Sequence, residues 1–163
     1  MKRLCLVMAL AFSSSVFASW QSDSRKILNE YKAECRNTEV VVDEIVRDSH
    51  IKGHIAGLPT EAYSDFKVVF YVKTNRWYVH PYTYYEGQEA GFSYSNLAAD
   101  GSFEVKTIRR DVPSKQLAVV VVPKTYKIAS QRFWLKPLFG FIGGVLKYQC
   151  NHTLVNGNGE FFN

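Results

Sequence analysis

The chain has 163 residues, of which 47% are hydrophobic and 15% aromatic, with a formal net charge of +5. The length suits one domain with a core of its own, and the charged residues form no long runs, which excludes an intrinsically disordered chain. Nor is the charge gathered into the dense basic stripe that nucleic acid demands, although weak attraction to acidic polysaccharide or anionic lipid stays open.

The N-terminus reads as a secretory signal peptide over residues 1–18. Lys2 and Arg3 form its basic region, Leu4–Phe12 its apolar run, and Val16-Phe17-Ala18 a small-x-small cleavage pattern. The run is well short of the roughly 20 residues that span a bilayer, so no membrane span is expected in the mature chain. Lys2 and Arg3 are the signal's only charges, so removing these two bases takes the net charge from +5 to +3. The expected location is periplasmic or secreted. Cys5 leaves with the signal, and Cys35 and Cys150 remain. Two cysteines in an oxidising compartment most simply pair with each other, closing a loop around nearly the whole domain. Such a closure stabilises by roughly 4–5 kcal/mol in the chain-entropy model. The alternatives are a reactive thiol or a metal pair, and neither has a CxxC or a histidine at ligand spacing to support it.

Residues 19–37 carry a short helix, with Ser22-Asp23-Ser24 as its N-cap and Ile27, Leu28 and Tyr31 as its apolar stripe. Residues 38–150 form the main domain. Thr38–Val46 is strand-like, and Ile51–Gly57 alternates Ile51, Gly53 and Ile55 against Lys52, His54 and Ala56. Leu58–Asp65 is a loop. Lys67–Lys73 and Arg76–Pro81 then form two β-rich runs around a turn at Thr74-Asn75. Tyr82–Ala99 is a long connection with a short strand at Phe92–Leu97. Asp100-Gly101 is a strong turn signal before a strand over Ser102–Ile108. Arg109–Lys115 is a charged connection broken by Pro113, and Gln116–Val122 is a continuous apolar run, the mark of a strand buried on both faces or central in the sheet. Pro123 closes it. Apolar pieces between Tyr126 and Gln149 read as one more strand ending at Cys150, with 151–163 as a polar tail. Asn151-His152-Thr153 fits a glycosylation acceptor only in a eukaryotic secretory pathway.

The central pair is expected to set Val72 opposite Trp77, Phe70 opposite Val79 and Val68 opposite Pro81 on an apolar face that meets the core. The other face would then bring Tyr71 opposite Tyr78, Val69 opposite His80 and Lys73 opposite Arg76. A slip of one residue would exchange the faces.

Short strands with turn signals about every ten residues point to an antiparallel all-β sandwich. The succession Ile51-x-Gly53-x-Ile55, Lys67–Val72, Trp77-Tyr78-Val79-x-Pro81, Asp100-Gly101-Ser102-Phe103 and Ala118–Val122 resembles immunoglobulin-like β-sandwich modules of exported bacterial proteins. The resemblance covers about residues 40–125. It implies an all-β, antiparallel immunoglobulin-like sandwich with an accessory or binding role.

No Gly-x-Ser-x-Gly, phosphate loop or zinc-protease motif occurs. His50 and His54 have a spacing that would pair them on a metal only in a helix, so in a strand they read as solvated, and no metal or cofactor is expected. Asp43-Glu44, Asp65 and Asp100 are the obvious acids. The candidate ligand-binding surface is aromatic: Tyr71, Tyr78 and His80, with Lys73 and Arg76 at the tip, continuing into Tyr82, Tyr84 and Tyr85. Such rings offer apolar area with a polar handle, suited to a glycan or a protein partner, unless they are packed as core. The expected function is therefore an exported, non-catalytic binding or accessory domain. A small secreted hydrolase of polysaccharide or peptide is one alternative, recognisable by paired acids or a His–acid pair. A structural or inhibitory domain docking through a strand edge is the other.

Overall fold

The computed structural model of the chain describes residues 20–46, 49–74, 77–80, 94–107, 114–128, 145 and 147–157. The signal-peptide reading of residues 1–18 lies outside them. Helix α1 (residues 20–30) is followed by α2 (Lys32–Asn37). Backbone bonds from Tyr31 N to Ile27 O and from Cys35 N to Tyr31 O carry the ladder across the junction.

Eight strands follow: β1 (Glu39–Val46), β2 (His50–Ala56), β3 (Phe66–Lys73), β4 (Trp77–Val79), β5 (Tyr94–Asn96), β6 (Ser102–Lys106), β7 (Gln116–Pro123) and β8 (Asn151–Asn156). A 3₁₀ turn at Thr60–Asp65 joins β2 to β3. All pairings are antiparallel. One sheet has the order β1-β2-β6. The other has the order β4-β3-β7-β8, with β5 also on β3. β4 lines Tyr71–Lys73 and β5 lines Lys67–Val69, so the two share one edge of β3 while β7 takes the other along its full length.

Between the sheets lies the main core. Val68, Phe70, Val72, Leu117, Val119 and Val121 from the five-stranded sheet meet Val40, Ile51, Ile55, Phe103 and Val105 from the three-stranded one. Gly53 makes room in this layer: a Cβ there would run into the Phe103 ring and the Val41 carbonyl. At the Asp100-Gly101 turn, Gly101 takes φ 80°, a conformation that suits glycine.

The outer face of the five-stranded sheet is covered as well. Val69, Tyr71, Val79, Ala118, Val120 and Val122 lie under Tyr126, Val145 and Tyr148, with Trp20 and Leu28 packed on them from α1. Trp20, Tyr126 and Tyr148 form an aromatic cluster with ring centroids 5.3–5.9 Å apart. This second layer explains why β3 and β7 are apolar at successive positions.

Cys35 and Cys150 form the expected disulfide, bridging α2 to the entrance of β8 across 115 residues. The Asn151 side-chain amide donates to the Thr38 carbonyl beside it. The last strand differs from expectation. Most of the strand expected to end at Cys150, residues 129–144 and 146, lies outside the described residues; Val145 and residues 147–150 are in no strand, and β8 occupies Asn151–Asn156, taken above as tail. Its polar residues are tolerated because it is an edge strand, paired only with β7.

The central hairpin is also corrected. Its register is Lys73↔Trp77, Val72↔Tyr78 and Tyr71↔Val79, and His80 N donates to Phe70 O. Relative to the expectation, β4 has slipped by one residue. Trp77 and Val79 therefore share the outer face with Tyr71, while Tyr78 packs against the inner core. Apolar alternation selects a register only where one face is solvated. Here both faces are buried, so the pattern could not choose.

Two outcomes follow. Replacing Tyr71, which has 0% exposure, by Ala should cost on the order of 3–5 kcal/mol, as for other large buried aromatics, read as a lower midpoint in denaturant. Reduction of the disulfide, or the double replacement Cys35→Ser and Cys150→Ser, should cost about 2–5 kcal/mol in the same measurement.

Candidate functional site

The outward row of β2 is His50, Lys52 and His54, since Ile51, Gly53 and Ile55 point into the core. β1 lies beside it with a bulge between Val42 and Glu44. Regular alternation would send two successive acids to opposite faces. The bulge removes that constraint, and both acids reach histidines of the outward row. Asp43 Oδ2 lies 2.8 Å from His54 Nδ1, and Glu44 Oε2 lies 2.9 Å from His50 Nε2. The hydrogen bond from His50 holds the Glu44 carboxyl below the usual range. Lys52 and Glu104, paired across β2 and β6, approach to 3.9 Å.

These side chains border a groove of ≈ 460 Å³ lined by Asp43, Glu44, Lys52, Asn96, Ser102 and Glu104 among others. Its floor is the three-stranded sheet, and β5 forms one wall. The single aromatic ring among the described lining residues, Phe103, is 3% exposed and belongs to the core. Four residues along a strand span about 13 Å, so His50 and His54 do not converge on one ion. No group of three or more potential metal ligands occurs among the described residues.

The expected aromatic surface is arranged otherwise. Tyr71 and His80 are each 0% exposed, and Tyr78 is half-buried on the opposite face of the sheet from Tyr71. The Tyr71 hydroxyl faces that of Tyr126, and burial pushes its ionisation far above the ordinary tyrosine range. Lys73 is half-buried with its ammonium 5.7 Å from the Trp77 ring centroid. Arg76, Tyr82, Tyr84 and Tyr85 lie outside the described residues. Tyr71, Tyr78 and His80 therefore form no common exposed patch, because the layer of α1, Tyr126 and Tyr148 occupies the face that was expected to be open.

A second unusual group is Lys67, 8% exposed on β3, with its ammonium 4.8 Å from the Tyr94 ring centroid. Burial, and then the neighbouring charge of Lys124, pull its amine down to about 8.

Comparison of the chain with protein-family models, curated proteins and solved structures finds no match. Any functional reading therefore rests on the chain's own sequence and structure.

The Lys67 amine gives a pH dependence of definite sign. Its folded value of about 8 lies below the ordinary 10.5, so between these values the unfolded chain binds more protons and stability rises with pH. The stability of the native sequence relative to Lys67→Met should grow on going from pH 8 to pH 10.5, in paired denaturant titrations. A difference that stays flat over that window would show that the amine is not desolvated.

Proposed function

We propose that this chain is an exported binding domain of immunoglobulin-like topology whose partner docks on the outer face of the three-stranded sheet. The strand orders support the topology. In an immunoglobulin sandwich, strands A, B and E share one sheet and C, F and G the other. β1, β2 and β6 correspond in order to the first set, and β3, β7 and β8 to the second, with β4 as an added C′ strand. The disulfide, of a kind kept in oxidising compartments, supports export together with the signal-like N-terminus.

One observation carries the docking surface. The central strands β3 and β7 of the five-stranded sheet are buried on both faces, whereas the three-stranded sheet leaves its outer face open, lined with charged and hydrogen-bonding side chains. A protein partner suits this face better than a glycan. Carboxylates, an ammonium, amides and hydroxyls are offered there, but no exposed ring in the described lining provides a stacking platform for a sugar. Docking through a strand edge has less to support it, since β1 packs against β8 and β5 against β6. The hydrolase alternative keeps one specific observation in its favour, the two His–carboxylate pairs on the same open face.

Reversing charge with Asp43→Lys and Glu104→Lys should reduce capture of the partner from an envelope extract at least tenfold. The melting temperature should barely change, because surface substitutions of this kind usually stay within about 0.5 kcal/mol. Capture by the native protein should also weaken as salt is raised. Capture unaffected by the double reversal would remove this face as the docking surface.

A further inference from the structure

On the same open face, one of the two His–carboxylate pairs continues into a third group. Ser49 Oγ lies 2.8 Å from His50 Nδ1, while His50 Nε2 lies 2.9 Å from Glu44 Oε2. One tautomer satisfies both contacts: the imidazole proton sits on Nε2 and is donated to the carboxylate, and the Nδ1 lone pair accepts the serine hydroxyl proton. That is the arrangement of an activated nucleophile, with a base in contact with the hydroxyl and a third group orienting the base. His54 has its carboxylate partner in Asp43, but among the described residues no hydroxyl bonds its other nitrogen, so the two pairs are not equivalent.

The serine is held by the sheet rather than by a loose loop. Its N–H donates to the Val46 carbonyl across the β1–β2 turn, and its carbonyl accepts from Thr107 N at the end of β6. The side chain is exposed, while the imidazole behind it is only 18% exposed. Glu44 also lines the groove, so the relay runs from the groove's edge through His50 to the exposed Ser49 hydroxyl.

We propose that Ser49 is an acyl-accepting nucleophile, with His50 as its general base and Glu44 as the group that orients His50, acting on activated esters of small carboxylic acids. Ser49 Oγ attacks the acyl carbon and forms a C–O bond while its proton passes to His50 Nδ1. The tetrahedral adduct collapses by breaking the bond to the leaving alkoxide or phenolate oxygen, which takes the proton from His50. The product is acyl-Ser49 and a free alcohol or phenol. A water molecule repeats the two steps on the acyl-serine and releases the carboxylic acid.

Magnitude sets the substrate class. The Ser49 and Thr107 amides already donate elsewhere, so neither is available to an oxyanion. Without that stabilisation the relay contributes only the general-base share, on the order of 10²–10⁴ in rate. This suffices for esters with good leaving groups and not for amides, which separates the proposal from a peptidase.

The test uses the signal-free protein with p-nitrophenyl acetate. The native protein should release nitrophenolate at least on the order of 10²-fold faster than Ser49→Ala. Peptide mass spectrometry after an acid quench should find the acetyl group on Ser49. Glu44→Gln should lower kcat and leave KM for the ester unchanged, because the imidazole loses the carboxylate that orients it. Ser64→Ala, on the distant 3₁₀ turn, should match the native protein. Equal release by Ser49→Ala, or acetyl groups found on lysine or histidine but not on Ser49, would overturn the proposal. Since no docking partner takes part, the outcome is independent of the docking surface.

Discussion

The structure depends on one pairing, β3 against β7, matched residue for residue from Phe66↔Pro123 to Lys73↔Gln116. This ladder is buried on both sides. One set of its side chains meets the three-stranded sheet, and the other meets α1, Tyr126, Val145 and Tyr148. An antiparallel sheet usually leaves one face in water and shows a clean alternation of apolar and polar residues. Here the N-terminal helix supplies a third layer and must be held against the sheet. The disulfide from α2 to the start of β8 does so, with the Asn151–Thr38 hydrogen bond beside it. Leu28 touches both cores, so the helix is coupled to the core between the sheets as well as to its own layer.

This double burial decides what could be read in the sequence. The extents of β1, β2, β6 and β7 were legible to within one or two residues, because each is bounded by turn chemistry or by proline. The Cys35–Cys150 bridge was legible by counting. Gln116–Val122, read as either covered on both faces or central in the sheet, is both, and the same logic applied to β3 places Tyr71 in a core. Treating β3 as one-sided instead fixed the wrong register for β4. The slip turns on the loop: Lys73↔Trp77 leaves three residues between partners, where a two-residue Thr74-Asn75 turn had been expected. β8 was missed for a related reason. An edge strand that pairs on one side only needs little apolar character, and the polar residues of Asn151–Asn156 look like a tail until β7 is placed next to them.

The candidate site was legible in its parts and illegible in its assembly. Asp43, Glu44, His50 and His54 all stood out as chemistry-bearing residues. What joined them was the β1 bulge, a single irregularity of register that has no mark in the local sequence. Without it, Asp43 and Glu44 would have alternated, and one of the two histidines would have been left without its acid. Ser49 was less visible still, since its hydroxyl gains significance only from the adjacent imidazole.

The two halves of the molecule are therefore specialised by cover rather than by composition. The five-stranded sheet, with its helical layer, leaves little of its surface to solvent beyond its edges. The three-stranded sheet shares the same core on one side and is open on the other, so its outward side chains rest on a packed floor and not on loops. Groups presented on sheet strands are held more closely than groups on loops. The His–carboxylate pairs, the Lys52–Glu104 contact and the backbone-pinned Ser49 all draw on that support. A change confined to this face would leave the doubly covered ladder intact. The side chains of this face can consequently be altered separately from folding, which the buried tyrosine surface would not have permitted.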